Sequence, residues 1–179
     1  MSVVIDGSNG ISSPDYEVDG VTGQIYPIVR STAIASTSGT SIDFTSIPSW
    51  VRRITVMFQG VSTNGSSILL VQLGTGSTTF TTSGYLGAVN SANSITNQTT
   101  GFGVVGQGAA ANVIHGSMVI TNVTGNAWCS AGTIYLSNTA LGGGGAGSVS
   151  LAAALTAVRI TTVNGTDTFD AGTINIIYE

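Results

Sequence analysis

Residues Arg53 to Leu73 read RITVMFQGVSTNGSSILLVQL, two runs of β-branched and apolar residues on either side of Asn64-Gly65. Asn-Gly is the preferred two-residue loop of a type I′ hairpin, and alternation along each run gives it one apolar face. The predicted register makes Thr63 face Ser66 and sets Phe58 opposite Val71 and Val56 opposite Leu73. Ile54, Val56, Phe58, Leu69, Val71 and Leu73 then share one face, expected to be core. Burying six such side chains contributes on the order of 10 kcal/mol before the entropy of ordering is subtracted.

The same pattern recurs outward from this stretch. A second Asn-Gly, Asn164-Gly165, predicts a hairpin with Val163 opposite Thr166, Ile160 opposite Phe169 and Arg159 opposite Asp170, a structural ion pair. A third candidate hairpin runs from Val113 to Leu136 through Thr124-Gly125-Asn126, with mixed faces and an open register. Further strands are expected near Ile42, Tyr85, Phe102, Val149 and Ile174, and Gly142 to Gly145 is read as a mobile loop. Leu151 to Val158 is the longest stretch compatible with helical spacing, and its neighbours favour strand there too. Many short strands between closely spaced turns predict an all-β fold, an antiparallel β-sandwich of jelly-roll type.

Composition agrees with a packed core and sets limits on function. Gly, Ser and Thr fill 72 of the 179 positions, yet 42% of the chain is hydrophobic and only three residues are proline. That combination argues for folding against disorder. The charged residues are four arginines and eight acids, with no lysine, and none lies between Arg53 and Arg159. Four scattered arginines cannot supply the basic stripe that phosphate binding requires, so nucleic acid is not an expected partner. The run Leu151 to Val158 falls well short of the roughly 18 residues of a membrane helix, so no membrane insertion is expected. Met1 to Gly10 lack a basic start followed by an apolar stretch, so no signal peptide is expected either. With Cys129 as the sole cysteine, no intrachain disulfide can form.

Residues 1–29 hold four of the eight acidic groups and two of the three prolines. They also carry a weak internal echo, Ile5-Asp6-Gly7-Ser8-Asn9-Gly10 against Val18-Asp19-Gly20-Val21-Thr22-Gly23, built on turn-forming steps. These residues are read as an extended N-terminal arm, and residues 30–179 as the β-sandwich domain. A calcium loop is the functional alternative for the acidic arm, but the EF-hand spacing and its closing Glu are absent.

No catalytic constellation emerges. His115 is the sole histidine and falls inside a predicted strand, where a core or interface role is expected. A nucleophilic Ser would need a base held by a third group. Asp167 and Asp170 point to opposite faces of their predicted hairpin, a poor pair for glycoside hydrolysis. The glycine run lacks the Lys and Ser/Thr of a phosphate loop. The protein is therefore expected not to be an enzyme, with no cofactor or metal. Among the aromatics Trp50, Trp128, Tyr85 and Tyr135, Trp50 is expected to cap the core at a strand entrance. Trp128, beside a hairpin tip, and Tyr85 are the candidate platforms for a ligand such as a sugar.

Three stretches resemble a known group of proteins. SGTSIDFTSIPSWVRRITVMF, Ser38 to Phe58, resembles a module of tailed-bacteriophage virion proteins, and VRITTVNGTDTFDAGTINI, Val158 to Ile176, resembles the closing strands of that module. VIDGSNGI, Val4 to Ile11, is similar to the start of phage tail-fibre proteins. The resemblance implies a structural virion component, often trimeric, with the β domain at or near a distal tip. Ile5, Asp6, Ile11, Tyr16 and Val18 would then anchor the arm to other virion proteins. Fibre proteins usually place a long shaft between the two segments, whereas here the arm meets the domain near Arg30. A short tail-fibre or tail-tip component for host attachment, homotrimeric and in contact with a host surface glycan, is the expected function. A capsid decoration or head-fibre protein is the alternative, and a free carbohydrate-binding module a more remote one. The expected location is the virion, on the tail or capsid surface, after assembly in the host cytoplasm.

Overall fold

The computed structural model describes residues 27–91, 94–106, 109–110 and 112–179, and ahead of these the backbone of residues 4–6, 10–12, 16–18 and 21–23. The strands among them are numbered in chain order. Near the N-terminus, β1 (Val4–Asp6) pairs with β2 (Gly10–Ser12) and β3 (Tyr16–Val18) with β4 (Val21–Gly23), two separate two-stranded units. The two copies of the sequence echo fall one on each unit. The proposed anchors Ile5, Asp6, Ile11, Tyr16 and Val18 sit on these strands, and their side chains lie outside the described part of the molecule.

The rest is all-β and antiparallel, and the described residues include no helix. A ten-stranded sheet runs in the order β11 (Ser94–Gln98), β10 (Leu86–Ser91), β16 (Gly145–Ser150), β14 (Ala127–Leu136), β13 (Ile114–Thr124), β8 (Arg53–Thr63), β18 (Phe169–Tyr178), β5 (Val29–Arg30). Alongside that order, β15 (Leu141–Gly143) pairs with β14, and β6 (Ile34–Ala35) pairs with β18. A four-stranded sheet has the order β12 (Phe102–Val105), β9 (Leu69–Gly74), β17 (Ala157–Thr162), β7 (Ile42–Phe44). The pairings are nested: β10 with β11, β9 with β12, β8 with β13 and β7 with β17. One long antiparallel ribbon has been wound so that its successive pairs alternate between sheets, which is jelly-roll winding. β14 and the two strands that pair with successive parts of it, β15 and β16, are inserted between β13 and β17, and β18 extends the large sheet beyond β8.

The core lies between the sheets, where strand alternation sends every second side chain inward. Ile54, Val56 and Phe58 of β8 and Ile114, Met118 and Ile120 of β13 face Leu69, Val71 and Leu73 of β9 and Val158 and Ile160 of β17. All eleven are 4% exposed or less. Trp50 packs against this core just ahead of β8, its ring 6.1 Å from that of Tyr178. The six apolar residues of the opening stretch are thus buried as expected, but they are not one face of one hairpin.

Both Asn-Gly hairpins are corrected by the structure. β8 and β9 belong to different sheets, and so do β17 and β18. Residues 64–68 and 163–168 are crossings from one sheet to the other. A type I′ loop needs positive φ at both central residues. Among the four Asn-Gly residues only Gly165 has it (67°). The two crossings lie side by side and satisfy each other's polar groups. Asn64 N–H donates to the Thr168 carbonyl (2.9 Å) and Thr168 N–H to Asn64 Oδ1 (2.8 Å). Ser67 N–H donates to Asp167 Oδ2 (3.0 Å), and Asn164 N–H to Ser67 Oγ (3.1 Å).

The third hairpin does form, with Ile114 opposite Leu136 and Asn122 opposite Trp128. The glycine run is not a loop: Gly142 and Gly143 lie in β15 and Gly145 opens β16. A Cβ at Gly145 would be driven into the Gly103 carbonyl of β12. Glycine is needed there because the two sheets touch through their backbones.

Candidate functional site

A polar groove lies on the outer face of the four-stranded sheet. On β17, Val158 and Ile160 point into the core, so Arg159 and Thr161 point outward. The register places Arg159 beside Asp43 of β7 on one side and Gln72 of β9 on the other. Asp43 accepts from Arg159 Nε (2.8 Å) and Nη2 (2.7 Å), a bidentate pair whose side chains are about 30% exposed. Hydrogen bonding to Asp43 raises the guanidinium pKa above its ordinary value, more than partial burial lowers it. The Phe80 ring centroid lies 4.0 Å from Arg159 Cζ, so the guanidinium is also held by a cation–π contact. Gln72 Nε2 donates to the Thr100 carbonyl (2.8 Å) and Thr161 Oγ1 to the Thr40 carbonyl (2.9 Å). Thr82, Asn164 and Gly165 complete a groove of about 360 Å³.

The structural pair Arg159–Asp170 is therefore corrected: the partner of Arg159 is Asp43. Asp170, on β18 in the other sheet, accepts a hydrogen bond from Ser62 Oγ. The expected register requires a hairpin at residues 163–168, and these residues cross from one sheet to the other. Asp167, three residues earlier, accepts from Ser67 N–H and Asn164 Nδ2 in the corner between the crossings.

The platform candidates Trp128 and Tyr85 are also corrected, since both belong to the core at 3% and 1% exposure. Trp128 begins a long strand and alternates with Ser130, Ile134 and Leu136 on its inner face, so its place beside a hairpin tip does not expose it. Tyr85 stands edge-on to Phe102, with ring centroids 4.9 Å apart, and its hydroxyl accepts the Leu73 N–H (2.8 Å). Burial pushes the Tyr85 pKa up to about 12, against the opposing effect of that hydrogen bond.

The exposed aromatic among the described residues is Tyr135, at 61%, on the outer face of the large sheet. Its ring lies over Gly142, where a Cβ would collide with it. The cross-strand neighbour of Tyr135 is His115, which is exposed and not in the core. A bulge explains the placement of His115. The register of β13 on β8 slips between Ile114 and His115, leaving Gly60 unpaired with φ 66°, and the Gly60 N–H donates to His115 Nδ1 (3.3 Å). Among the described residues no three His, Cys, Asp or Glu side chains gather into a metal-binding group.

The groove residues Gln72 and Thr161, and Asp43 as the partner of Arg159, are not singled out by the sequence. Alternation could have put Thr161 on the face of Arg159. Only the strand order brings in Asp43 and Gln72. No protein-family model, curated protein or solved structure matches the chain.

Proposed function

We propose that this chain is a non-enzymatic structural protein of a tailed-phage virion, a short tail-fibre or tail-tip component for host attachment. Residues 1–29 hold it to the particle and the sandwich assembles as a homotrimer. The observation that carries this reading is the outer face of the ten-stranded sheet. One continuous cross-strand row reads Ile177, Thr55, Val119, Ala131, Ala146, Ala88 over six adjacent strands, without a charge. The neighbouring row holds Asn175, Met57, Ser117 and Thr133. Part of the first row sinks into a shallow depression of about 380 Å³ rimmed by Ile95, which is 75% exposed. Eight strands at about 4.8 Å spacing give a face roughly 35 Å wide, room for the ~800 Å² per partner of a standard interface. The uncharged stretch is bounded by Arg30, opposite Ile177, and by Arg53, which pairs with Glu179; between them small apolar and hydroxyl side chains offer a patch that docks without desolvating ion pairs.

The resemblance of residues 4–11, 38–58 and 158–176 to virion proteins supports the particle assignment. Among the described residues the carboxylates and the histidine support a non-catalytic role, because each side chain has its own structural partner: Asp43 with Arg159, Asp167 with Ser67 and Asn164, Asp170 with Ser62, Glu179 with Arg53, His115 with Gly60.

Sedimentation of the full chain at micromolar concentration is expected to give a trimer. Ala131→Arg, which places a charge mid-row, is expected to give a folded monomer. A monomeric parent protein, or a variant that remains trimeric, would remove the face from this role. Labelling of intact particles is expected to place the protein at the tail tip; a lattice or vertex position would favour capsid decoration or a head fibre.

A further inference from the structure

We propose that the groove on the four-stranded sheet binds a neutral, hydroxyl-rich ligand, one or two pyranose rings of a surface saccharide. The inference deepens the attachment reading, on which it depends only for the source of the sugar. At about 360 Å³ the groove lies at the small end of the range of ligand sites.

Its chemistry selects against charged ligands. The single cation, Arg159, is already matched by Asp43 through two hydrogen bonds, so an added carboxylate or sulfate gains no unpaired partner. What remains open is a fan of neutral-ligand contacts. Arg159 lines the groove, and among the described residues its Nη1 has no hydrogen-bond acceptor, which leaves two N–H donors. Gln72 is 7% exposed and spends its amide N–H on the Thr100 carbonyl, which leaves Oε1 to accept. Thr161, 8% exposed, donates to Thr40 and can accept a second bond. Adjacent donors and acceptors on the paired strands β9 and β17 match the alternating donor–acceptor hydroxyls of a sugar edge. The ion pair and the Phe80 stack fix the guanidinium before any ligand arrives, so little side-chain entropy remains to be lost on binding.

The test is saturation-transfer NMR on the full chain with methyl glycosides of glucose, galactose, mannose, rhamnose and N-acetylglucosamine, and with N-acetylneuraminic acid as the acidic probe. Saturation of at least one neutral glycoside is expected, weakened about tenfold in both Gln72→Leu and Thr161→Val and unchanged in Tyr135→Ala. Using two groove variants guards against one that fails to fold, which circular dichroism detects. The proposal is overturned if no neutral probe is saturated, if the acidic probe binds best, or if Tyr135→Ala abolishes binding while the groove variants keep it. Particle labelling is indifferent to all three results, so loss of the sugar site would leave the virion assignment standing.

Discussion

Arg159 is the residue at which sequence and structure part most clearly. Its outward direction was legible from alternation with Val158 and Ile160, but its partner was not. Asp43 lies 116 positions away, and only the β17–β7 register brings it near. A double-mutant cycle of Arg159→Gln and Asp43→Asn is expected to show about 1 kcal/mol of coupling, because the pair is bidentate and only partly exposed. Thermal denaturation of the four proteins measures it, and the parallel cycle with Asp170→Asn is expected to show none. Tyr85 gives a pH signature. Its folded pKa of about 12 exceeds the ordinary 10.0, so the fold favours the neutral phenol. The associated stability is intact below pH 10 and is lost as pH rises from there through 12, by about 2–3 kcal/mol in total. Tyr85→Phe should remove that alkaline step. It should also cost about 1–2 kcal/mol at neutral pH, because the buried Leu73 N–H loses its acceptor. Urea unfolding at pH 7 and pH 11 separates the two effects. Burial of Trp128 and Tyr85 was not legible because exposure depends on which layers cover a strand, and a local pattern carries no record of that.

At the scale of strands, the apolar runs mark β7, β8, β9, β12, β13, β14, β16, β17 and β18, and the Thr124-Gly125-Asn126 hairpin forms where it is expected; β5, β6, β11 and β15 carry no such signal, and residues 151–156, expected to be strand, lie outside any. The remaining errors concern connection. Asn-Gly reports a chain reversal, and a crossing between sheets reverses the chain as well as a hairpin does, so the dipeptide cannot tell β8–β9 in one sheet from β8 and β9 in two. The deciding contacts, Asn64 with Thr168 and Ser67 with Asp167, join segments about 100 residues apart. The bulge line is a further element-level feature with a measurable cost. Gly172 has φ 94° and lies so close that a Cβ would enter the Gly60 carbonyl, whereas at Gly60 (φ 66°) a Cβ would meet nothing nearer than 3.9 Å. Gly60→Ala therefore bears mainly the conformational penalty, about 1 kcal/mol, while Gly172→Ala adds a backbone collision and should exceed about 3 kcal/mol. Chemical denaturation of the two variants gives the order, and equal losses would mean that the two glycines are not packed against one another.

For the molecule as a whole, all-β class and sandwich layering were legible from composition and period, whereas the strand order was not. The structure also refines where an arm can be removed. Residues 29–36 run along the edge of β18, with the Ser36 N–H donating to the Gly172 carbonyl (2.9 Å) and Ser31 to that of Ile176 (2.9 Å). A chain starting at Pro27 should melt with the full protein, and one starting at Thr37 should melt lower and aggregate through the bared edge. Differential scanning calorimetry and light scattering distinguish them. The nested ribbon also has a kinetic meaning. β8 is central in its sheet, yet both of its neighbours, β13 and β18, are encoded 50 residues or more after it, and β7 waits for β17. Such long closures must be made before their contacts repay the lost entropy, which places folding in the slow, millisecond-to-second range. A ribosome-bound chain that has not yet exposed Phe169 to Tyr178 cannot complete the β8 ladder. Its apolar β8 therefore depends on partners not yet synthesised until Tyr178 has emerged, so that folding of this domain lags its translation.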